Sequence, residues 1–173
     1  MVLMASSGSC GAARGGTPIN DLGYEAEERH VLSVARHYFD AFARPEGQAW
    51  IAAVSKALEL FGAKRGPEVS VAVLIAVQAM RQARRSTFRF SNPDCAICSA
   101  FATQHERSLM ASLRAAARGR RDDAAAHAAI LCEGNDVRAL VHALEVLAQR
   151  AFTQNAPVAA TDEQQASHSK AGA

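Results

Sequence analysis

Residues 91–110 hold the side chains whose types and spacing best suit chemistry. They read SNPDCAICSAFATQHERSLM, so Cys95 and Cys98 are three positions apart and His105 follows seven positions later. Two thiolates at this spacing can hold a zinc ion or cycle between a dithiol and a disulfide. They can also simply pack, because a reduced cysteine behaves as a small apolar residue in a core.

The zinc hypothesis needs ligands from outside this stretch. On a continuous helix Cys98 and His105 lie two turns apart, about 10.5 Å of rise. Zinc bonds sulfur at about 2.3 Å and imidazole nitrogen at about 2.0 Å, so the histidine is a poor ligand beside the two cysteines. The remaining candidates resemble no common second half-site, which would have a close Cys or His pair. The candidate zinc ligands are Cys95, Cys98, Cys132 and His127.

The redox hypothesis rests on the expected position of Cys95 in the first turn of a helix, where the helix dipole favours the thiolate. Dithiol oxidoreductases carry this motif beside a βαβ pattern, however, and the sequence shows none. We therefore expect Cys95 to be incidental and Cys98 to pack in an apolar stripe. The other members of that stripe are Ile97, Phe101, His105, Leu109 and Leu113.

Other catalytic motifs are missing from the sequence. Glu27 and His30 have the Glu-x-x-His spacing of di-iron helical bundles, but such bundles need a second copy of the motif. The chain has no second copy, no Gly-rich phosphate loop, no Gly-x-Ser-x-Gly elbow and no His-Glu-x-x-His. We therefore expect a non-enzymatic protein without a resident cofactor, and a bound zinc ion is the alternative.

Arginine is concentrated in the middle of the chain. Residues 64–121 carry 11 Lys and Arg against 3 Asp and Glu, although the net charge of the whole chain is only +2. A basic patch here could meet the phosphates of a nucleic acid or an acidic partner. Alternatively, these cations are favoured by helix dipoles and pair internally with the acidic first helix or with Asp122 and Asp123. The patch comprises Arg81, Arg84, Arg85, Arg89, Arg118, Arg120 and Arg121.

Six amphipathic segments are expected to position these residues. Their apolar residues recur at intervals of three and four, and glycine, proline or polar breaks separate them. The third segment begins at Gly66 and Pro67 and is apolar on every side from Val71 to Val77, which predicts a central, buried helix. Its β-branched residues also suit a strand, but its length of about 17 residues favours a helix. The other segments span about 21–43, 50–61, 92–117, 122–132 and 135–152.

The fourth segment decides how the cysteines are presented. Asn92 or Ser91 can cap a helix, Pro93 fits the first helical position, and the apolar period continues to Ala117. The sequence therefore predicts one unbroken helix that carries both cysteines in its first two turns.

The expected fold is all-α, a single-domain bundle of about six helices around a buried third helix. A chain of 173 residues with 49% hydrophobic residues can form one domain with a core. Residues 1–20 are rich in Gly, Ser and Ala, and residues 155–173 are polar without an apolar period. Both are predicted to be disordered tails, which leaves 21–154 as the helical domain.

The expected function is that of a small helical adaptor or regulatory protein that acts by macromolecular binding, with a protein partner or as a homodimer. The sequence has no signal-peptide pattern and no apolar run of about 18 residues, so we expect a cytoplasmic protein outside the membrane. Two alternatives stay open. One is a zinc-binding or thiol-redox regulator that uses the Cys95/Cys98 pair, and the other is a nucleic-acid-binding regulator that uses the arginine clusters.

Overall fold

The computed structural model describes the backbone of residues 4–6 and the whole of residues 16–152. Within these residues the chain forms six helices, α1 (Ala26–Ala43), α2 (Ala49–Ala83), α3 (Ala96–Ser99), α4 (Gln104–Ala117), α5 (Arg121–Leu131) and α6 (Arg138–Ala151). It also forms four short strands, β1 (Met4–Ser6), β2 (Thr17–Pro18), β3 (Phe88–Phe90) and β4 (Phe101–Ala102). The prediction of an all-α, single-domain bundle of about six helices is confirmed.

The strands pair in two small sheets. β1 runs parallel to β3, with Met4 opposite Phe88, and β2 runs antiparallel to β4, with Thr17 opposite Ala102. β1 and β2 both fall within residues 1–20, for which we expect a disordered tail. Ile19 and Asn20 of the same range begin a short 3-10 helix, Ile19–Leu22. Residues 1–3 and 7–15, and the other expected tail, residues 155–173, lie outside the described residues.

α2 consists of two limbs that meet at Gly62. This glycine has φ 76° and ψ 167°, which is not helical and suits a residue without a Cβ. We call residues 49–61 the first limb and residues 63–83 the second limb. They pack closely, because a Cβ added at Gly66 would lie 2.8 Å from the carbonyl oxygen of Ala57. The predicted end of the second helix at Gly62 is confirmed, whereas Pro67 lies inside the second limb and not at its start.

The second limb corresponds to the predicted third helix. It lies between α1 and α6, where Tyr38 bonds Ser70 through their hydroxyl groups at 2.7 Å and Arg65 donates to the carbonyl of Ala151 at 2.6 Å. Its inner face is buried. On its outer face, however, Val71 and Ile75 are 55% and 53% exposed. Both faces of the second limb are therefore apolar, but only the inner face is covered by the rest of the protein.

The core is built mainly from alanine, leucine and valine side chains around a few aromatic rings. The ring centroid of Phe39 lies 4.6 Å from that of Phe88 and 5.6 Å from that of Phe90, and all three rings are fully buried. Buried alanines let the helices approach each other closely. They include Ala53, Ala57, Ala76, Ala124, Ala128 and Ala151.

The unbroken helix predicted from Pro93 to Ala117 is wrong. α3 has only four residues, the chain then forms β4, and α4 starts afresh after Thr103. Thr103 and Glu106 form a capping box, in which each side chain accepts a hydrogen bond from the backbone N–H of the other residue. In addition, Arg36 binds the carbonyl oxygens of Ser99 and Phe101 at 2.7 and 2.6 Å, so they are held by a side chain instead of by helical hydrogen bonds.

Candidate functional site

Cys95 and Cys98 are neighbours at the short helix α3. Cys95 is the N-cap residue, and its sulfur accepts a hydrogen bond from the backbone N–H of Cys98 at 3.3 Å. Cys95 is half-buried and Cys98 is buried. The expected packing role of Cys98 therefore agrees with its burial, although the apolar stripe is interrupted after Ser99.

His105 lies in the first turn of α4 and contacts the residues that follow α2. Its Nδ1 accepts a hydrogen bond from the backbone N–H of Arg89 at 2.9 Å, and its Nε2 lies 3.2 Å from a guanidinium nitrogen of Arg84. Burial, with the charges of Arg84 and Arg89, lowers the pKa of the imidazole. The ring is therefore neutral near pH 7, and both of its nitrogens face groups of the protein itself.

The other two candidate zinc ligands lie on or next to α5. Cys132 follows this helix and is fully buried, and burial raises the pKa of its thiol to about 11. His127 is exposed. Among residues 4–6 and 16–152, no three His, Cys, Asp or Glu side chains are placed so that they could hold a metal ion. The structure therefore does not bring Cys95, Cys98, Cys132 and His127 together as a ligand set.

The first arginine cluster, which comprises Arg81, Arg84, Arg85 and Arg89, partly serves to join α2 to α5. Arg84 is 6% exposed, donates to the carbonyl of Leu131 and to the hydroxyl of Ser86, and lies 3.5 Å from a carboxylate oxygen of Glu133. Glu133 in turn accepts hydrogen bonds from the backbone N–H groups of Arg85 and Ser86. Arg85 and Arg89 are exposed. Arg84 is thus a structural residue, which leaves these two side chains at the surface.

The second arginine cluster, which comprises Arg118, Arg120 and Arg121, lies at the far end of α4. His105 in the first turn of this helix contacts Arg84, whereas Arg118 follows its last turn, about 20 Å further along the axis. The two clusters therefore do not merge into one patch. Two members of the second cluster form ion pairs within the chain. Arg120 pairs with Asp123 at 3.0 Å, and Arg121 pairs with Glu145 at 2.6 Å.

A long apolar groove runs along the outer face of the second limb. Its first half has a volume of about 560 Å³ and lies between α1 and the two limbs. Its second half, of about 860 Å³, lies between the second limb and α6. The halves are adjacent, because Phe42 and Leu74 line both. We call this feature the apolar groove, and its other main lining residues are Tyr38, Trp50, Val54, Val71, Ile75, Gln78, Arg81, His142, Ala143 and Val146.

Several of the large apolar side chains in the groove are open to solvent. Trp50, Val71 and Ile75 are 54%, 55% and 53% exposed. The second half is lined on the α6 side by Ala139, His142, Ala143 and Val146. Isolated apolar residues are ordinary on a protein surface, but a continuous apolar groove is typical of a binding site.

Arg81 is the charged residue of the second limb that lines the groove. It is 9% exposed, its guanidinium carbon lies 3.8 Å from the ring centroid of Phe42, and its Nη1 donates to the side chain of Gln78 at 2.8 Å. Its buried Nε has no hydrogen-bond partner. Burial lowers the pKa of this guanidinium. None of the described residues that line the groove is an aspartate or a glutamate.

The apolar groove differs from what the sequence pattern predicts for the residues that form it. The pattern assigns Val71 to a buried helix and Arg81 to a basic patch, and the structure places both in the wall of one surface feature. A signal was present in the spacing, because Gln78 and Gln82 share the helical face of Val71 and Ile75 and make that face too polar for a core.

Comparison of the chain with protein-family models, curated proteins and solved structures found no match.

Proposed function

We propose that this protein is a non-enzymatic helical adaptor or regulatory protein that binds another macromolecule through the apolar groove. The observation that carries the proposal is the presence of half-exposed apolar side chains, Trp50, Val71 and Ile75, in the two adjacent halves of the groove. Their exposure keeps apolar surface in contact with water, and covering it with a partner is favourable.

The dimensions of the groove favour a macromolecule over a small ligand. The part of the second limb that lines it, residues 67–82, is about 24 Å long. Small-molecule sites usually enclose most of the ligand surface, whereas here the wall residues Val71 and Ile75 remain more than half exposed. None of the helices within residues 16–152 has the length and apolar character that crossing a membrane requires.

The test compares capture of a partner by the protein and by two variants. The groove variant carries Val71→Asp and Ile75→Asp, which place two carboxylates on the outer face of the second limb. The matched control carries Ile130→Asp, because Ile130 is 72% exposed on α5 and does not line the groove. Each variant is first compared with the wild type by circular dichroism and thermal unfolding.

In a pull-down from the native cell, we expect the wild type and the Ile130→Asp control to retain the same partner. The groove variant is expected to lose it, because charged groups in the groove prevent burial of the apolar contact. Equal capture by all three proteins would place the binding surface elsewhere and contradict the proposal.

A further inference from the structure

Arg81 differs from the other strongly buried arginines of the described chain. Arg36 lies 2.7 Å from a carboxylate oxygen of Glu106, and Arg84 lies 3.5 Å from one of Glu133. Arg81 is buried to a similar degree, yet no described carboxylate lies within ion-pair distance of it. A buried cation without a counter-charge is unfavourable, so the presence of a charged side chain at this position in the wall of the groove needs an explanation.

The contacts that Arg81 does make compensate its charge only in part. The face of the Phe42 ring and the amide oxygen of Gln78 both attract a cation, and the last turn of a helix favours positive charge. All of these groups are neutral. A guanidinium has five N–H donors in a planar fork that matches a carboxylate, and the side chain of Gln78 accepts from only one of its nitrogens, Nη1.

The surroundings of Arg81 restrict which kind of anionic group could supply its counter-charge. Phe42, Leu74 and Ile75 line the same part of the groove, so a hydrated inorganic anion would face apolar walls on most sides. The acceptor that fits is a carboxylate attached to an apolar surface. A phosphate backbone fits poorly, because nucleic-acid sites combine several cations with exposed aromatic rings, and Arg81 is alone in the groove wall among the described Lys and Arg residues.

The walls of the groove also restrict the backbone of the partner. They come from α1, from both limbs and from α6, so they offer helix faces and no strand edge. An extended segment would leave its own N–H and C=O groups against apolar side chains, whereas a helix satisfies them internally. Four turns of helix match the length of about 24 Å, and laying an amphipathic helix in a groove is a common mode of recognition.

We propose that the apolar groove binds an amphipathic helix of a partner protein, and that an aspartate or glutamate at the edge of this helix's apolar face pairs with Arg81. This inference rests on the proposed function and specifies the chemistry of the partner. The apolar face of the helix covers Val71 and Ile75, and its carboxylate supplies the counter-charge that none of the described residues provides for Arg81.

A displayed library of helical peptides tests this proposal even while the natural partner is unidentified. Each peptide has about 16 residues, with leucine or isoleucine fixed at every third or fourth position and the other positions randomised. The library is selected on the wild type and, in parallel, on Val71→Asp with Ile75→Asp to identify binders that avoid the groove. We expect the peptides that bind only the wild type to share an acidic residue at one position.

The affinity of a selected peptide is then measured with two protein variants. Arg81→Gln is expected to weaken binding roughly tenfold or more, and replacing the shared acid of the peptide by its amide is expected to add little further loss. Arg85→Gln is the matched control, because Arg85 is exposed and lies four residues further along the chain. It should leave the affinity unchanged. Thermal unfolding of both variants checks that the fold is retained.

The outcomes separate this inference from the proposed function. Groove-dependent peptides without an acid preference, or with affinity unaffected by Arg81→Gln, would overturn the inference and leave the groove as a binding site. An equal loss with Arg85→Gln would also overturn it, because the effect would then be one of general charge. If no peptide is enriched on the wild type above the groove variant, both the inference and the proposed function fail.

Discussion

Arg36 and Glu106 form an ion pair of 2.7 Å in the interior, where their side chains are 4% and 0% exposed. Arg36 comes from α1 and Glu106 from α4, 70 positions later. Glu106 also accepts hydrogen bonds from the backbone N–H groups of Ser91 and Thr103. The pair therefore fixes the chain between β3 and α4, including the segment with both cysteines, against α1.

Removing the charge of Glu106 should strongly destabilise the protein. In Glu106→Gln, the guanidinium of Arg36 stays buried without its counter-charge, and we expect the free energy of unfolding to fall by about 3 kcal/mol or more. Urea denaturation measures this change. The control Glu68→Gln removes an exposed pair with Arg150 and should change stability by less than about 1 kcal/mol. Similar losses in both variants would contradict the role assigned to the buried pair.

The pair of Glu28 and Arg114 should make stability depend on pH in the acid range. Burial raises the pKa of Glu28, but hydrogen bonds from Arg114 and from the backbone of Glu25 outweigh it, so the pKa lies below its ordinary value of 4.5. A lowered folded-state pKa gives stability that is present above the unfolded pKa and is lost as pH falls through the folded pKa.

Glu28→Gln should therefore lower the free energy of unfolding at pH 7 by about 2 kcal/mol, because it removes hydrogen bonds to a charged group. The difference between the wild type and the variant should shrink as the pH falls below about 4, when the carboxylate of the wild type takes up a proton. Urea denaturation at a series of pH values measures it. A difference that stays constant down to about pH 2 would show that the charge of Glu28 does not contribute.

Arg81 should be dispensable for stability, in contrast to Arg36. Arg81→Met removes a buried charge that has no carboxylate partner among residues 16–152 and keeps most of the side-chain volume, so we expect a change within about 1 kcal/mol or a gain in stability. Arg36→Met should lose about 3 kcal/mol or more, because it leaves Glu106 buried without its cation. Equal losses in the two variants would indicate that Arg81 is held by interactions as strong as those of a complete ion pair.

Cys132 should resist thiol reagents in the folded protein. Its side chain is fully buried, and burial raises the pKa of its thiol to about 11, so little thiolate is present at about pH 8. Mass spectrometry after treatment with iodoacetamide should find Cys132 unmodified in the native protein and modified in concentrated urea. Rapid labelling under native conditions would show that the end of α5 opens readily.

The fold class could be predicted from the sequence because most helices have local signals. Gly62 ends the first limb, and the apolar period of α6 is complete within the helix itself. The break before α4 had a local signal too, the Thr103 and Glu106 capping box, but the start signal at Pro93 suggested one long helix. What decides the break is Arg36, which binds the carbonyl of Phe101 from a distant part of the chain.

Local patterns predict the apolar groove only in part, because Gln78 and Gln82 indicate a partly exposed face of the second limb but not a groove along it. An apolar residue such as Ile75 has the same sequence signature whether another helix covers it or not. Whether it is covered depends on how α1 and α6 pack around the second limb, and these helices are distant from it in the sequence. Likewise, the sequence does not show which arginines form ion pairs, because the partners can be far apart along the chain. Arg114 and Glu28, for example, are 86 positions apart.

The second limb is anchored near both of its ends. Gly66 packs against the backbone of the first limb, and Arg84, just after the last turn, binds the carbonyl of Leu131. Because these anchors are intramolecular, the conformational entropy of ordering this wall is lost during folding and not when a partner arrives. Association should then proceed as the docking of a preorganised surface, with a rate constant of about 10⁵ to 10⁷ M⁻¹s⁻¹ that is limited by mutual orientation.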